Sequence, residues 1–237
     1  MLSTIIFIGR SEGRFIPFEY NYYLALSIYN KLSIYQDEIK KLHQKNQPGI
    51  HTFSNIITDK VDFGNNGLEI RSGFLILRTI DNRIGSYLRL GIASDPYLKI
   101  VNAVYKVKSI NNSKGKLNGR NRVNFKTLSP VLVRDFQNKK MFVNNPSLIE
   151  ENLNKVTKWS LLNQFKLSKS VVDDVKIEIK NSHSKTVRIS SAPKKESITR
   201  AFDLAGTISG DPGALEVLYY RGFGSKTGLG LGCWEAI

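Results

Sequence analysis

Apolar and polar positions along the chain change period several times, and each change marks an element. Leu2 to Ile8 is a short run rich in β-branched residues, which predicts a buried strand. Gly9 to Arg14 turn the chain. Beyond Pro17, Leu24, Ile28 and Leu32 fall four apart, predicting the buried stripe of a helix that begins near Tyr20. Tyr22, Leu26 and Tyr29 lie on the flank of that stripe. Asp37 to Gln44 predicts a second helix, stopped by Asn46, Gln47, Pro48 and Gly49. Strand-like runs at His51–Thr58 and Leu68–Thr79 flank a turn signal at Gly64, Asn65, Asn66 and Gly67. Ile84, Leu88 and Ile92 share one side of a helix predicted over Asp81–Gly91, and Leu98–Val107 returns as a strand. The order is βαββαβ, the split unit of ferredoxin-like folds, with an inserted hairpin.

The second half repeats the plan. Residues 111–119 are polar and contain glycine, so the boundary between two units is expected there, with one over 1–115 and the other over 116–237. Val123–Val133 reads as a strand interrupted at Ser129 and Pro130, and Pro146–Leu167 as a long helix opened by Glu150 and Glu151. Val171–Lys180, Thr186–Ser190 and Ile198–Ile208 read as strands, which leaves His183 in an exposed loop. Asp211 and Pro212 open a helix that runs to about Tyr220, and a last strand is expected over Leu229–Glu235. The expected fold class is α+β, with two tandem ferredoxin-like (RRM-like) domains.

Charge narrows the partners. Lysine and arginine number 35 against 20 aspartates and glutamates, a net charge of +15, which favours nucleic acid or an anionic membrane surface. No apolar run approaches the ~18 residues of a spanning helix, and no segment concentrates lysine opposite a wide apolar face, so a membrane is not expected as a partner. A single cysteine, Cys233, and three scattered histidines offer neither a disulfide nor a zinc-ligand spacing. No cofactor is therefore expected, and the default location is the cytoplasm.

The densest motif lies near the carboxyl end, over Arg221-Gly222-Phe223-Gly224-Ser225-Lys226-Thr227-Gly228-Leu229-Gly230-Leu231-Gly232. Glycine clusters are tolerated where the chain takes positive φ or approaches a ligand closely, and a row of backbone amides suits phosphate. The spacing is neither that of a dinucleotide fingerprint nor that of a Walker loop, because Ser225 precedes Lys226 and no βα unit follows. A Gly-rich hairpin with no ligand is the plain reading.

The pattern G-h-G-x5-G-h-G, with h apolar and a lysine between, resembles the CRISPR-associated endoribonucleases that cut repeat RNA to make guide RNAs, within the wider RAMP group. Phe125-Lys126-Thr127-Leu128-Ser129-Pro130-Val131 resembles the strand that opens the second domain in these proteins. Tyr22-Tyr23-Leu24 with Ile28-Tyr29-Asn30 resembles their first helix. The resemblance spans essentially the whole chain. It implies a metal-independent nuclease that cleaves by 2′-hydroxyl attack, leaving a 2′,3′-cyclic phosphate and a 5′-hydroxyl. The alternative is a non-cutting relative, or a structural subunit of a guide-RNA complex. A homodimer or an association with a CRISPR effector complex is compatible with either.

Cutting RNA without a metal needs proton transfer to and from oxygen and a positive charge on the phosphorane. The family's catalytic histidine follows the first helix beside one of its tyrosines, which points to Tyr29 and His43. Relatives with this pair often carry a lysine shortly afterwards. Here the nearest are Lys45 and Lys41, and His51 is a second candidate for proton transfer. Taken alone, His43 reads as a cation at a helix C-terminus.

For RNA binding, Pro96 to Arg134 holds no acidic residue but includes Lys114, Lys116, Arg120, Arg122 and Lys126, and a second basic run holds Lys194, Lys195 and Arg200. With Gly222, Gly224, Lys226, Gly230 and Gly232 they are expected to line a positive cleft. Tyr105, Phe125, Tyr219 and Phe223 are candidates for stacking on bases, although a residue placed like Phe223 is more often a core anchor beneath such a loop.

Overall fold

Alternation in Leu2–Glu12 (β1) sends Ile6 and Ile8 into the interior, and this strand runs down the middle of the first sheet. The computed structural model describes residues 1–33, 49–65, 67–113, 115, 117–138, 141–192 and 195–237. The helix expected over Asp37–Gln44 lies outside them.

In the first half β1 is followed by α1 (Asn21–Leu32), β2 (His51–Phe53), a small hairpin of β3 (Asp62–Gly64) and β4 (Gly67–Glu69), β5 (Ser72–Thr79) and α2 (Asn82–Ser94). The unit closes with β6 (Tyr97–Ile100) and β7 (Ala103–Ser113). The sheet order is β2-β5-β1-β7-β6, and all its pairs are antiparallel. This is the ferredoxin-like order with one extra edge strand, and the inserted hairpin is β3–β4. Leu24, Ile28 and Leu32 of α1 and Ile84, Leu88 and Ile92 of α2 are buried in one core with Ile6, Phe53, Leu75 and Leu77. Asp81 caps α2 by accepting from the Arg83 amide.

Two expected strands are divided. Leu98–Val107 breaks at Val101, which takes positive φ, and becomes the β6–β7 hairpin. Only His51–Phe53 of the run to Thr58 is regular strand, with Ile57 rejoining β5 through a bridge to Phe74.

The second half contains β8 (Arg122–Thr127), α3 (Ile149–Asn163), α4 (Lys169–Asp174), β9 (Lys176–Ala192), β10 (Lys195–Ser209), α5 (Pro212–Arg221) and β11 (Trp234–Ala236). Its sheet order, β11-β8-β10-β9, repeats the ferredoxin-like arrangement. Three expectations are corrected here. Val171–Asp174 is a short helix rather than a strand, because the Ser168 hydroxyl accepts from the Val171 amide and caps it. Asn181–Ser184 is not a loop: β9 continues unbroken, and His183 pairs with Asp203 across the ladder, though it remains exposed. Strand over Leu229–Glu235 shrinks to β11, because Thr227–Leu229 closes a 3₁₀ turn.

Candidate active site

The glycine ribbon is packed between the two halves. Gly222, Gly224, Gly230 and Gly232 all take positive φ, as the repeated motif requires. Their Cβ positions, however, are filled by protein. A methyl at Gly230 would overlap the Phe53 ring, and one at Gly232 would overlap the Phe223 carbonyl. Phe223 N donates to Gly232 O (2.8 Å), Gly232 N to Pro130 O (2.9 Å), Gly230 N to Thr227 O (3.0 Å) and Gly222 N to Leu218 O (2.9 Å). The expectation of a row of free glycine amides is thus corrected at Gly222, Gly230 and Gly232. These glycines bring backbone against backbone. Phe223 is a core anchor, stacked on Trp234 at 4.9 Å. Tyr105, Phe125 and Tyr219 are likewise buried and present no face to a base, which corrects the stacking expectation.

The middle of the ribbon has a different role. A Cβ on Gly228 would lie 2.5 Å from the Tyr29 hydroxyl and 3.3 Å from His51 Nε2. Those two atoms are themselves 3.1 Å apart, with the rings edge to face at 5.7 Å. Helix α1 supplies Tyr29, three residues before its buried end at Leu32, and the edge strand β2 supplies His51. Burial pushes the Tyr29 phenol well above its ordinary range, so it stays a proton donor throughout the physiological range. His51 is 5 % exposed. A neutral imidazole beside a protonated phenol can accept or relay a proton, and the hydrogen bond fixes how the ring is turned.

Several contacts hold the ribbon to the first half. Asn21 Nδ2 donates to Gly230 O (3.0 Å) and to Asn55 Oδ1 (2.7 Å), and Thr52 Oγ1 donates to Leu231 O (3.0 Å). Gly49, two residues before His51, approaches the Thr227 hydroxyl so closely that a Cβ there would overlap it. Arg78 on β5 reaches across to donate to the Trp234 carbonyl, its guanidinium 3.7 Å above the Tyr219 ring.

Of the catalytic candidates, Tyr29 and His51 are brought together, while His43 and Lys45, with Lys41, lie outside the described residues. So do Lys114, Lys116 and Lys194, and Lys195 is placed on β10 by its backbone alone. Lys126 pairs with Glu235 (3.1 Å), Arg122 with Glu178 (3.5 Å), and Arg200 donates to Asn144 O (3.3 Å). All three remain on the surface, as do Arg120 and Lys226. No group of three or more His, Cys, Asp or Glu side chains among the described residues could hold a metal ion, and no helix among them is long and apolar enough to cross a membrane.

Sequence reasoning missed Asn21, Thr52 and Arg78, which fix the relation of the two halves. An asparagine at a helix start and a threonine in a strand look ordinary; only their partners, 209 and 179 residues away, give them meaning.

The family model for CRISPR-associated protein Cas6, N-terminal, matches residues 15–111, and that for CRISPR associated protein Cas6, C-terminal, matches residues 111–236. A CRISPR-associated endoribonuclease-like Cas6 protein of Pyrococcus furiosus is 28% identical over 228 residues, covering 94% of this chain and 92% of the relative. Among solved structures, a RAMP protein described as binding different RNA substrates superposes with a TM-score of 0.85 at 24% identity, over 100% of both chains. The product of a Cas6-related gene from Pyrococcus furiosus gives a TM-score of 0.83 at 26% identity, over 100% of this chain and 98% of that one.

Proposed function

The chain belongs to the Cas6 family of CRISPR-associated proteins, and from that premise we propose that it is an endoribonuclease cutting CRISPR repeat RNA within precursor transcripts, without a metal. The observation that carries the proposal is the Tyr29–His51 pair pressed against Gly228 of the ribbon. Two groups able to transfer protons come from one half and meet the ribbon of the other there.

The reaction in this reading is attack of a ribose 2′-oxygen on the adjacent phosphorus. The 2′-O–P bond forms and the P–O5′ bond breaks. One group takes the 2′ proton and another gives a proton to O5′, leaving a 2′,3′-cyclic phosphate and a 5′-hydroxyl. His51 and His43 divide the two transfers, and Tyr29 orients the imidazole and donates to the reacting oxygens. The net charge of +15 draws the backbone in, with Lys106, Lys108, Arg120, Lys126, Arg200 and Lys226 exposed to meet it, and affinity should fall steeply with salt.

The test is labelled repeat RNA incubated in excess chelator with wild type, His51→Ala and His43→Ala. Wild type should cut and leave a cyclic phosphate end. Cutting that requires added Mg²⁺, or full activity in both histidine variants, overturns the mechanism.

The near-complete burial of His51 favours a second reading, in which the protein binds repeat RNA without cutting it. That reading expects tight, salt-sensitive binding and no turnover in the same assay.

A further inference from the structure

We propose that Lys226 is a catalytic residue that supplies the positive charge for the phosphorane, across the domain boundary from Tyr29 and His51. The inference rests on the nuclease reading above and assigns a role that the pair alone leaves empty. A phenol and an imidazole can move protons, but neither offers a fixed cation to the non-bridging oxygens.

The backbone at Lys226 is the first observation. It takes φ 59 and ψ 33, the left-handed region, which strains a residue with a Cβ. Such strain persists only where its surroundings impose it, and it gathers at functional positions. The surroundings here are rigid: Ser225 N donates to Leu132 O (2.8 Å), and Leu229 N donates to the Lys226 carbonyl itself (2.8 Å). The side chain therefore leaves the ribbon from a fixed point.

That point is next to the pair. Lys226 stands two residues before Gly228, no more than about 7 Å along the chain, and Gly228 has no room for a Cβ beside the Tyr29 hydroxyl. Between them, the Thr227 hydroxyl is buried with no hydrogen-bond partner among the described residues.

Among the described residues, three further cations are engaged. Lys31, on the same helix as Tyr29, is buried on Asp95. Arg78 is held by the Trp234 carbonyl and the Tyr219 ring. Arg221 is buried over Phe165, and its guanidinium donates to Gly224 O (3.3 Å). Lys226 is exposed, and no carboxylate among the described residues pairs with it. Its ammonium would donate to a non-bridging oxygen while the protons move elsewhere.

The experiment compares wild type with Lys226→Ala, Lys226→Gly and Lys226→Arg. Single-turnover rates are measured at saturating repeat RNA, and affinity is measured separately on a repeat carrying a 2′-deoxyribose at the cut. Lys226→Gly removes the charge and the backbone strain together, so it should melt no lower than wild type and yet cut as slowly as Lys226→Ala, down on the order of 10²-fold. Affinity should weaken less than tenfold, Lys226→Arg should stay within tenfold of wild-type rate, and added ethylamine should restore part of the Lys226→Ala rate. If the variants bind weakly but cut at the wild-type rate once saturated, Lys226 only grips the backbone and the proposal fails alone. A wild type that binds but never cuts removes the nuclease reading first, and this role with it.

Discussion

The Tyr29 hydroxyl lies 3.1 Å from His51 Nε2, and the two residues come from elements that the fold brings together only at the edge of its first sheet. Tyr29 is on α1, while His51 pairs with Thr79 of β5. Because burial raises the phenol's pKa, Tyr29 keeps its proton at neutral pH. Tyr29→Phe should therefore lower the single-turnover cleavage rate by about 10²-fold, and His51→Ala by about 10²–10⁴-fold, with RNA affinity little changed. Rates at saturating RNA, set beside binding to an uncleavable analogue, check both. A Tyr29→Phe enzyme with an unaltered rate excludes the hydroxyl from the chemistry.

The ribbon glycines lead to a stability prediction. Gly232→Ala forces a Cβ into positive φ at a cost of about 1–2 kcal/mol. It also pushes that Cβ into the Phe223 carbonyl, and overpacking of this kind costs about 1–3 kcal/mol. A total near 3 kcal/mol is expected by urea denaturation. Gly119→Ala is the matched control. That residue has φ +73 with nothing within 4 Å of the added methyl, so only the backbone part should appear. Equal losses at the two positions would mean that the ribbon is not packed as described.

Periodicity made the first ferredoxin-like unit legible, since Leu24, Ile28 and Leu32, like Ile84, Leu88 and Ile92, announce a buried face on their own. The G-h-G spacing marked a loop whose glycines meet protein backbone and rings. Glycine reports positive φ and close approach equally well whether the approaching group is a phosphate or Phe53. Helix α4 was misread because Val171 and Val172 suggest a strand, while one hydroxyl at Ser168 decides the matter. His51 could be named but not placed, since its meeting with Tyr29 and Gly228 depends on contacts between halves of the chain that no local pattern encodes.

Arg78 joins the two halves. It is 3 % exposed, it donates to the Trp234 carbonyl, and it lies over the Tyr219 ring. Replacing it with methionine preserves much of the volume but leaves a buried carbonyl without its donor. The loss combines a hydrogen bond from a charged group, about 1.5–3 kcal/mol, with a desolvated cation–π contact of up to about 2 kcal/mol. Some of this is offset because the methionine needs no desolvation of charge. Arg78→Met should be less stable by about 2–4 kcal/mol in denaturant, and a stability equal to wild type would show that the bridge contributes nothing net.

Glu69 should set part of the acid limit of stability. Its carboxylate takes Arg10 Nη1 at 3.0 Å and Arg14 Nε at 2.7 Å, tying β1 and the turn after it to β4. The hydrogen bond from Arg14, then that from Arg10, holds its pKa below the ordinary glutamate value. A depressed folded pKa means that the unfolded chain binds the proton more readily. The stabilisation is therefore fully present above the unfolded value of about 4.3 and disappears as pH falls through the lower folded value. Arg14 is well exposed and solvent screens its part, so Arg10 should carry more of the effect. Thermal melts of wild type and Glu69→Gln should differ most at neutral pH and draw together as pH falls through the depressed folded value. A gap of constant size from pH 7 to pH 3 would place the stabilisation in packing rather than in charge.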